Sequence, residues 1–104
     1  MEGFVRQSLL YDFYGDLLTQ HQKEIYEAYV LQNLSLGEIA EESGISRQGV
    51  HDLIRRCNAL LDGYETKLKL VERFLTVREK VGQIQKCADL DSARRIAGEI
   101  LDII

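Results

Sequence analysis

Ser35–Leu61, SLGEIAEESGISRQGVHDLIRRCNALL, is the stretch whose reading decides the fold. Ser35 followed by Glu38 is a capping box, in which the serine hydroxyl and the glutamate carboxylate each take a backbone N–H that the first turn of a helix leaves unpaired. Leu36, Ile39 and Ala40 then fall on one side of a helix of about two turns. Gly44 ends it, because glycine enters the left-handed conformation of a helix terminus without steric cost. Ser46 caps a second helix. Its Val50, Leu53, Ile54, Cys57 and Leu61 recur at three- and four-residue steps, which gives it a definite core side. One helix is thereby set to brace another across a short turn.

Toward the N-terminus, Val5, Leu9, Phe13 and Leu17 stand at four-residue intervals with Leu10, Tyr14 and Leu18 beside them, an amphipathic helix over about Phe4–Leu18 whose last turn Gly15 weakens. Thr19 with Gln22 is another capping box, and Ile25, Tyr26, Tyr29 and Val30 give a helical stripe that ends near Gln32, closed by Asn33. Toward the C-terminus, Gly63 reads as a bend or boundary. Beyond it Tyr64, Leu68, Val71, Leu75, Arg78 and Gly82 keep alternating four- and three-residue steps along a long helix, a seam that requires a partner helix. Asp89 or Asp91 caps a last helix with an apolar face of Ala93, Ile96, Ala97, Ile100, Leu101, Ile103 and Ile104. The expected architecture is all-α: residues 1–62 form a helical domain containing the motif at 35–61. Residues 63–104 add a long helix plus a C-terminal helix, a packing element or a homodimer contact through 64–104.

The composition agrees. The chain has 104 residues, one domain's worth, and no proline, so the strongest helix breaker is missing. Its formal net charge is −4, against an all-over basic coat; any nucleic-acid contact must be local. Residues 1–43 carry 2 Lys/Arg and 8 Asp/Glu, residues 44–104 carry 11 and 9. Cys57 and Cys87 have neither CxxC spacing nor histidines at ligand spacing, so they read as buried or half-buried thiols rather than a metal site or disulfide framework. No apolar run approaches the roughly 20 residues of a membrane span, and Met1–Gln7 lacks the layout of a leader, so no membrane insertion and a cytoplasmic location are expected. Without GxxxxGK[ST], HExxH or GxSxG, and with acid pairs such as Glu41–Glu42 lacking a histidine base, neither catalytic residues nor cofactors are expected.

The motif resembles the DNA-binding helix-turn-helix, with Ala40 and Gly44 at its small-residue and turn positions and Ile39, Ile45, Val50 and Leu53 inward; Ser43 departs, standing where that pattern prefers a hydrophobe. LSLGEIAEESGISRQGV, Leu34–Val50, looks like region 4 of bacterial sigma factors. The longer run LYDFYGDLLTQHQKEIYEAYVLQNLSLGEIAEESGISRQGVHDLIRRCNALLDGYETKLKLVERF, Leu10–Phe74, resembles the YlxM family of small bacterial proteins. The resemblance implies a sigma-like helix-turn-helix protein encoded beside the signal recognition particle GTPase, with an accessory role in protein targeting and that GTPase as a partner.

With Val50, Leu53 and Cys57 turned inward, the 100° step per residue turns Gln48, Asp52, Arg55 and Ala59 outward, with His51 to one side, Arg56 to the other and Arg47 flanking the start. Ser46, Arg47, Gln48, His51, Arg55 and Arg56 are therefore the contact candidates. Gln48 suits adenine, Arg47 and Arg55 suit guanine or phosphate, and Ser46 with the first N–H groups suits a phosphate. A lone exposed histidine such as His51 is more often an ordinary surface group. Asp52 and Arg56, four apart, are set to pair. About three arginines neutralise only about three phosphates, and Glu38, Glu41 and Glu42 occupy the bracing helix, so one copy should hold DNA weakly. Gly49 either admits a close neighbour or is tolerated drift. Phe4, Tyr11, Phe13, Tyr14, Tyr26 and Tyr29 belong to the packing rather than to base stacking. Three functions stay open: an accessory factor of the targeting pathway touching DNA or targeting RNA, a DNA-binding transcriptional regulator, and a protein-docking module without nucleic acid.

Overall fold

The computed structural model describes residues 3–104; Met1 and Glu2, where the reading for a leader begins, lie outside them. All regular structure among the described residues is helical: α1 Gly3–Tyr14, α2 Gln20–Val30, α3 Leu36–Ser43, α4 Arg47–Leu68, α5 Leu70–Lys86 and α6 Leu90–Ile103, with a 3-10 turn at Gly15–Leu17. The caps lie where the sequence puts them. Both capping boxes, Thr19–Gln22 and Ser35–Glu38, form in both directions. Gly44 is left-handed at φ 75°, and Asp89 accepts the Ser92 N–H at the start of α6. Asn33, also left-handed at φ 56°, turns the chain between α2 and α3, a conformation asparagine tolerates better than most residues.

The chain divides into a first unit ending at Leu68 and a second, Lys69–Ile104. This moves the expected boundary. Gly63 lies inside α4, which runs unbroken from Arg47 to Leu68, because a mid-helix glycine costs only about 1 kcal/mol and does not remove a hydrogen bond. The break comes at Lys69, in the left-handed region at φ 55°, ψ 30° and without a side-chain cap. The seam from Tyr64 to Gly82 is therefore shared between two helices.

In the first unit α4 is the central element, packed against α1, α2 and α3. Tyr26, Val50, Cys57 and Leu61 are wholly excluded from solvent, and Leu10, Tyr14, Ile25, Ile39 and Ile54 nearly so; each such aliphatic burial contributes about 1.5–3 kcal/mol. On α1 the buried stripe is Leu10, Tyr11 and Tyr14, continued by Leu18, whereas Val5, Phe13 and Leu17 of the parallel stripe are exposed. Two adjacent apolar stripes compete there, and the one carrying tyrosines wins with its hydroxyls satisfied. Tyr11 donates to Glu27 at 2.5 Å, Tyr14 to Glu65 at 2.6 Å and Tyr26 to Asn58 at 2.5 Å. Gln7 donates to the same Asn58 oxygen at 3.3 Å. Burial, first, and Glu27, second, push Tyr11 well above the usual tyrosine pKa; burial does the same to Tyr26. Tyr11 and Tyr26 also pair ring to ring at 5.6 Å, as do Phe4 and Tyr29 at 5.5 Å, so the aromatic rings serve packing.

The second unit is an α5–α6 hairpin. Val71 and Ile96 are its buried apolar residues. Lys80 of α5 reaches Glu99 of α6 at 3.1 Å, and Arg95 joins the same carboxylate at 3.3 Å. The apolar face expected of α6 splits in two. Ala93, Ile96, Ile100 and Ile103 are buried or half-buried, while Leu90, Ala97, Leu101 and Ile104 are exposed.

Candidate nucleic-acid interface

Three local devices set the exposed face of α4. The Ser35 box starts α3; its N–H and hydroxyl hold the Glu38 carboxylate below the usual carboxylate range. Gly44 ends α3, with its N–H donating to Ala40 at 3.0 Å. Ser46 opens α4 by accepting the Gly49 N–H at 2.9 Å. A Cβ on Gly49 would sit 3.1 Å from that hydroxyl oxygen, so the glycine makes room for the cap, which answers the question its sequence position raised.

Every contact candidate on α4 lies at the surface: Arg47, Gln48, His51, Arg55 and Arg56 are exposed, as is Ser46 before them. Val50, Leu53, Ile54, Cys57 and Leu61 are buried behind them. Ser46 is committed in part to its own helix, since its oxygen takes an N–H that a phosphate would otherwise receive. The expected Asp52–Arg56 pair does not form. Asp52 instead accepts from the Gln48 amide at 3.0 Å and lies 3.6 Å from His51 Nδ1, an ion pair only when that ring is protonated. Glutamine and aspartate are also four apart, and the shorter amide meets the carboxylate from the N-terminal side. Arg47, Arg55 and Arg56 consequently carry no ion-pair partner among the described residues, and their guanidinium groups stay available.

The face has edges the sequence did not disclose. Leu36 of α3 meets Arg47, Gln48 and His51 around one shallow hollow, and Asp52, Arg55, Arg56 and Ala59 line another. A third groove runs between the start of α2 and α4, bounded by Thr19, His21, Gln22, Gly49 and Arg56. It brings His21 of α2 into the same groove as Arg56 of α4, 35 positions away in the chain. Helix periodicity places residues on one helix only, so no signal in the sequence reports that approach. Cys57 lies directly beneath the face, and burial pushes its thiol up to about 11. No group of three or more His, Cys, Asp or Glu side chains suited to a metal occurs among the described residues, and no helix there is long and apolar enough to cross a membrane.

With this geometry in place, comparison with known proteins gives a family. The model of UPF0122, described as "Putative helix-turn-helix protein, YlxM / p13 like", matches residues 1–98. The chain belongs to this family. A UPF0122 protein of Thermoanaerobacter sp. strain X514 is 46% identical over 103 residues, 99% of this chain and 88% of the relative. One of Shouchella clausii is 43% identical over 104 residues, 100% of this chain and 95% of the relative. One of Acetivibrio thermocellus is 49% identical over 86 residues, 83% and 74% respectively. The family description agrees with the motif found at α3–α4 and with the all-α fold.

Proposed function

We propose that the protein is a non-enzymatic, cytoplasmic accessory factor of the signal recognition particle pathway that engages nucleic acid through the exposed face of α4, Ser46–Arg56. The observation that carries the reading is the set of exposed guanidinium groups on α4, Arg47, Arg55 and Arg56, none held in an ion pair among the described residues. The YlxM resemblance supports the pathway and, within it, the targeting RNA and GTPase as partners. Gln48 and the arginines supply amide and bidentate contacts to bases and phosphates. The experiment is a side-by-side titration of targeting RNA, duplex DNA and the targeting GTPase at 50 and 200 mM salt. RNA is expected to bind, with affinity falling as salt rises and falling about tenfold in the Arg47→Ala, Arg55→Ala double variant. Failure to bind any of the three removes the proposal.

A DNA-binding regulator is the second reading, favoured by the outward amide of Gln48 between Arg47 and Arg55; genome-wide footprints that vanish in the same double variant would establish it instead. The exposed Glu38, Glu41 and Glu42 on α3 favour the third, a protein-docking module. Charge reversal at those glutamates that abolishes GTPase binding, with the wild type indifferent to nucleic acid, would select it.

A further inference from the structure

The outer face of α6 is left open in the folded chain, and it repeats. Leu90, Arg94, Ala97, Leu101 and Ile104 succeed one another by four, three, four and three residues, and all five are exposed, Leu101 at 72% and Ile104 at 81%. That alternation is the seam a helix presents to another helix packed alongside it at a shallow angle. The inner face of α6 is occupied separately, by Ile96 and the half-buried Ala93, Ile100 and Ile103, so the outer stripe is not used within the hairpin.

We propose that this stripe is the contact between two copies of the chain, α6 lying antiparallel on α6 of the second copy about a two-fold axis at Ala97. The stripe complements itself under that operation. Leu90 falls opposite Ile104, and Ala97 meets its own image. The side chain there is small, and Gly98 beside it has nothing within 4 Å of an added Cβ, so two backbones can approach closely. Arg94 is the single charged residue in the seam and has no ion-pair partner among the described residues. The antiparallel operation brings it level with Ile100 of the other copy, so its aliphatic stem lies along the seam while its guanidinium group reaches the solvated rim. A parallel arrangement would place the two Arg94 side chains against each other.

Charge distribution selects this unit for the meeting of like chains. Residues 1–68 carry 6 Lys/Arg and 11 Asp/Glu, residues 69–104 carry 7 and 6. Two copies approaching through the first unit repel, and through the second they are nearly neutral. Each isologous patch is one helix wide and about 21 Å long, below the roughly 800 Å² per partner of a standard interface. The dimer is therefore expected to form and dissociate in the micromolar range.

Sedimentation equilibrium of the full chain from 1 to 200 µM tests the proposal without nucleic acid. The expected result is a monomer–dimer equilibrium, weakened tenfold or more by Leu101→Glu, an exposed position where folding is not at stake, as circular dichroism will verify. A monomer throughout the range overturns the proposal and leaves the stripe to a different protein. Cysteine placement tests the geometry, in a Cys87→Ser background. Under mild oxidation Ala97→Cys is expected to give a disulfide-linked dimer. Leu90→Cys is expected not to, since its two copies stand about 21 Å apart in the antiparallel arrangement and a disulfide needs Cα atoms within about 7 Å. Cross-linking at position 90 but not at 97 overturns the antiparallel arrangement.

Discussion

Asn58 joins α1 and α2 to α4 through one carbonyl oxygen, which accepts from both Tyr26 and Gln7. Asn58→Leu strips the partner from a tyrosine hydroxyl in a wholly buried side chain and should lower unfolding free energy by about 1–3 kcal/mol, against about 1 for Tyr26→Phe; urea denaturation measures both. Gly15 offers a second residue-level test. A Cβ there would lie 2.7 Å from the Tyr11 ring, and that ring is fixed by its bond to Glu27 and by Tyr26. Gly15→Ala should therefore destabilise by about 1–3 kcal/mol, the cost of overpacking, even though alanine is the better helix former. Neither effect was legible beforehand: Gly15 read as a helix weakness, and Asn58 stands 32 residues from Tyr26 and 51 from Gln7. The thiols were legible. Cys57, buried and with its pKa pushed up, should stay unmodified by a thiol reagent at pH 8 in the native protein, while half-buried Cys87 reacts. Two thiols titrating at equal rates would contradict the packing of α4.

At the scale of elements, caps and core periodicity fixed α2, α3 and α4's beginning correctly, because a cap is a local hydrogen-bond arrangement between residues three apart. They failed at the end of α4. Periodicity counts residues, and Lys69 is by composition an ordinary helix former; its left-handed backbone costs about 1–2 kcal/mol and follows from no local signal. On the α4 face the exposure of Arg47, Gln48, His51, Arg55 and Arg56 followed from the 100° step, but the choice of Gln48 over Arg56 by Asp52 did not, since both are four residues away. The α3 cap makes a pH prediction. Glu38 has its folded pKa lowered, so its contribution is complete above the unfolded glutamate value of about 4.3 and is lost as pH falls through the folded value. Melting temperature should therefore drop below about pH 4, and Glu38→Gln should lose part of that dependence while lowering stability at pH 7. An identical pH profile in the variant would show that the Ser35–Glu38 box contributes nothing.

For the whole molecule, the two units differ in how much they can sustain alone. The first holds nearly the whole buried core, and a chain ending after Leu68 should remain helical and unfold cooperatively, measurable by circular dichroism. The second, with Val71 and Ile96 buried, is far below the size at which a lone core suffices and should be unstructured when isolated at low concentration. The first unit also sets three exposed glutamates of α3 next to three exposed arginines of α4, within a unit that is acidic overall. A polyanion therefore meets this protein in two regimes. Beyond a Debye length, about 8 Å at physiological ionic strength, it senses the acidic total and is turned away; inside that distance it senses only α4 and is held. Added salt should then raise the rate of encounter at low ionic strength even as it shortens the lifetime of the complex. Stopped-flow traces would show association and dissociation both accelerating, the opposite of the electrostatic steering by which basic DNA-binding proteins find their targets.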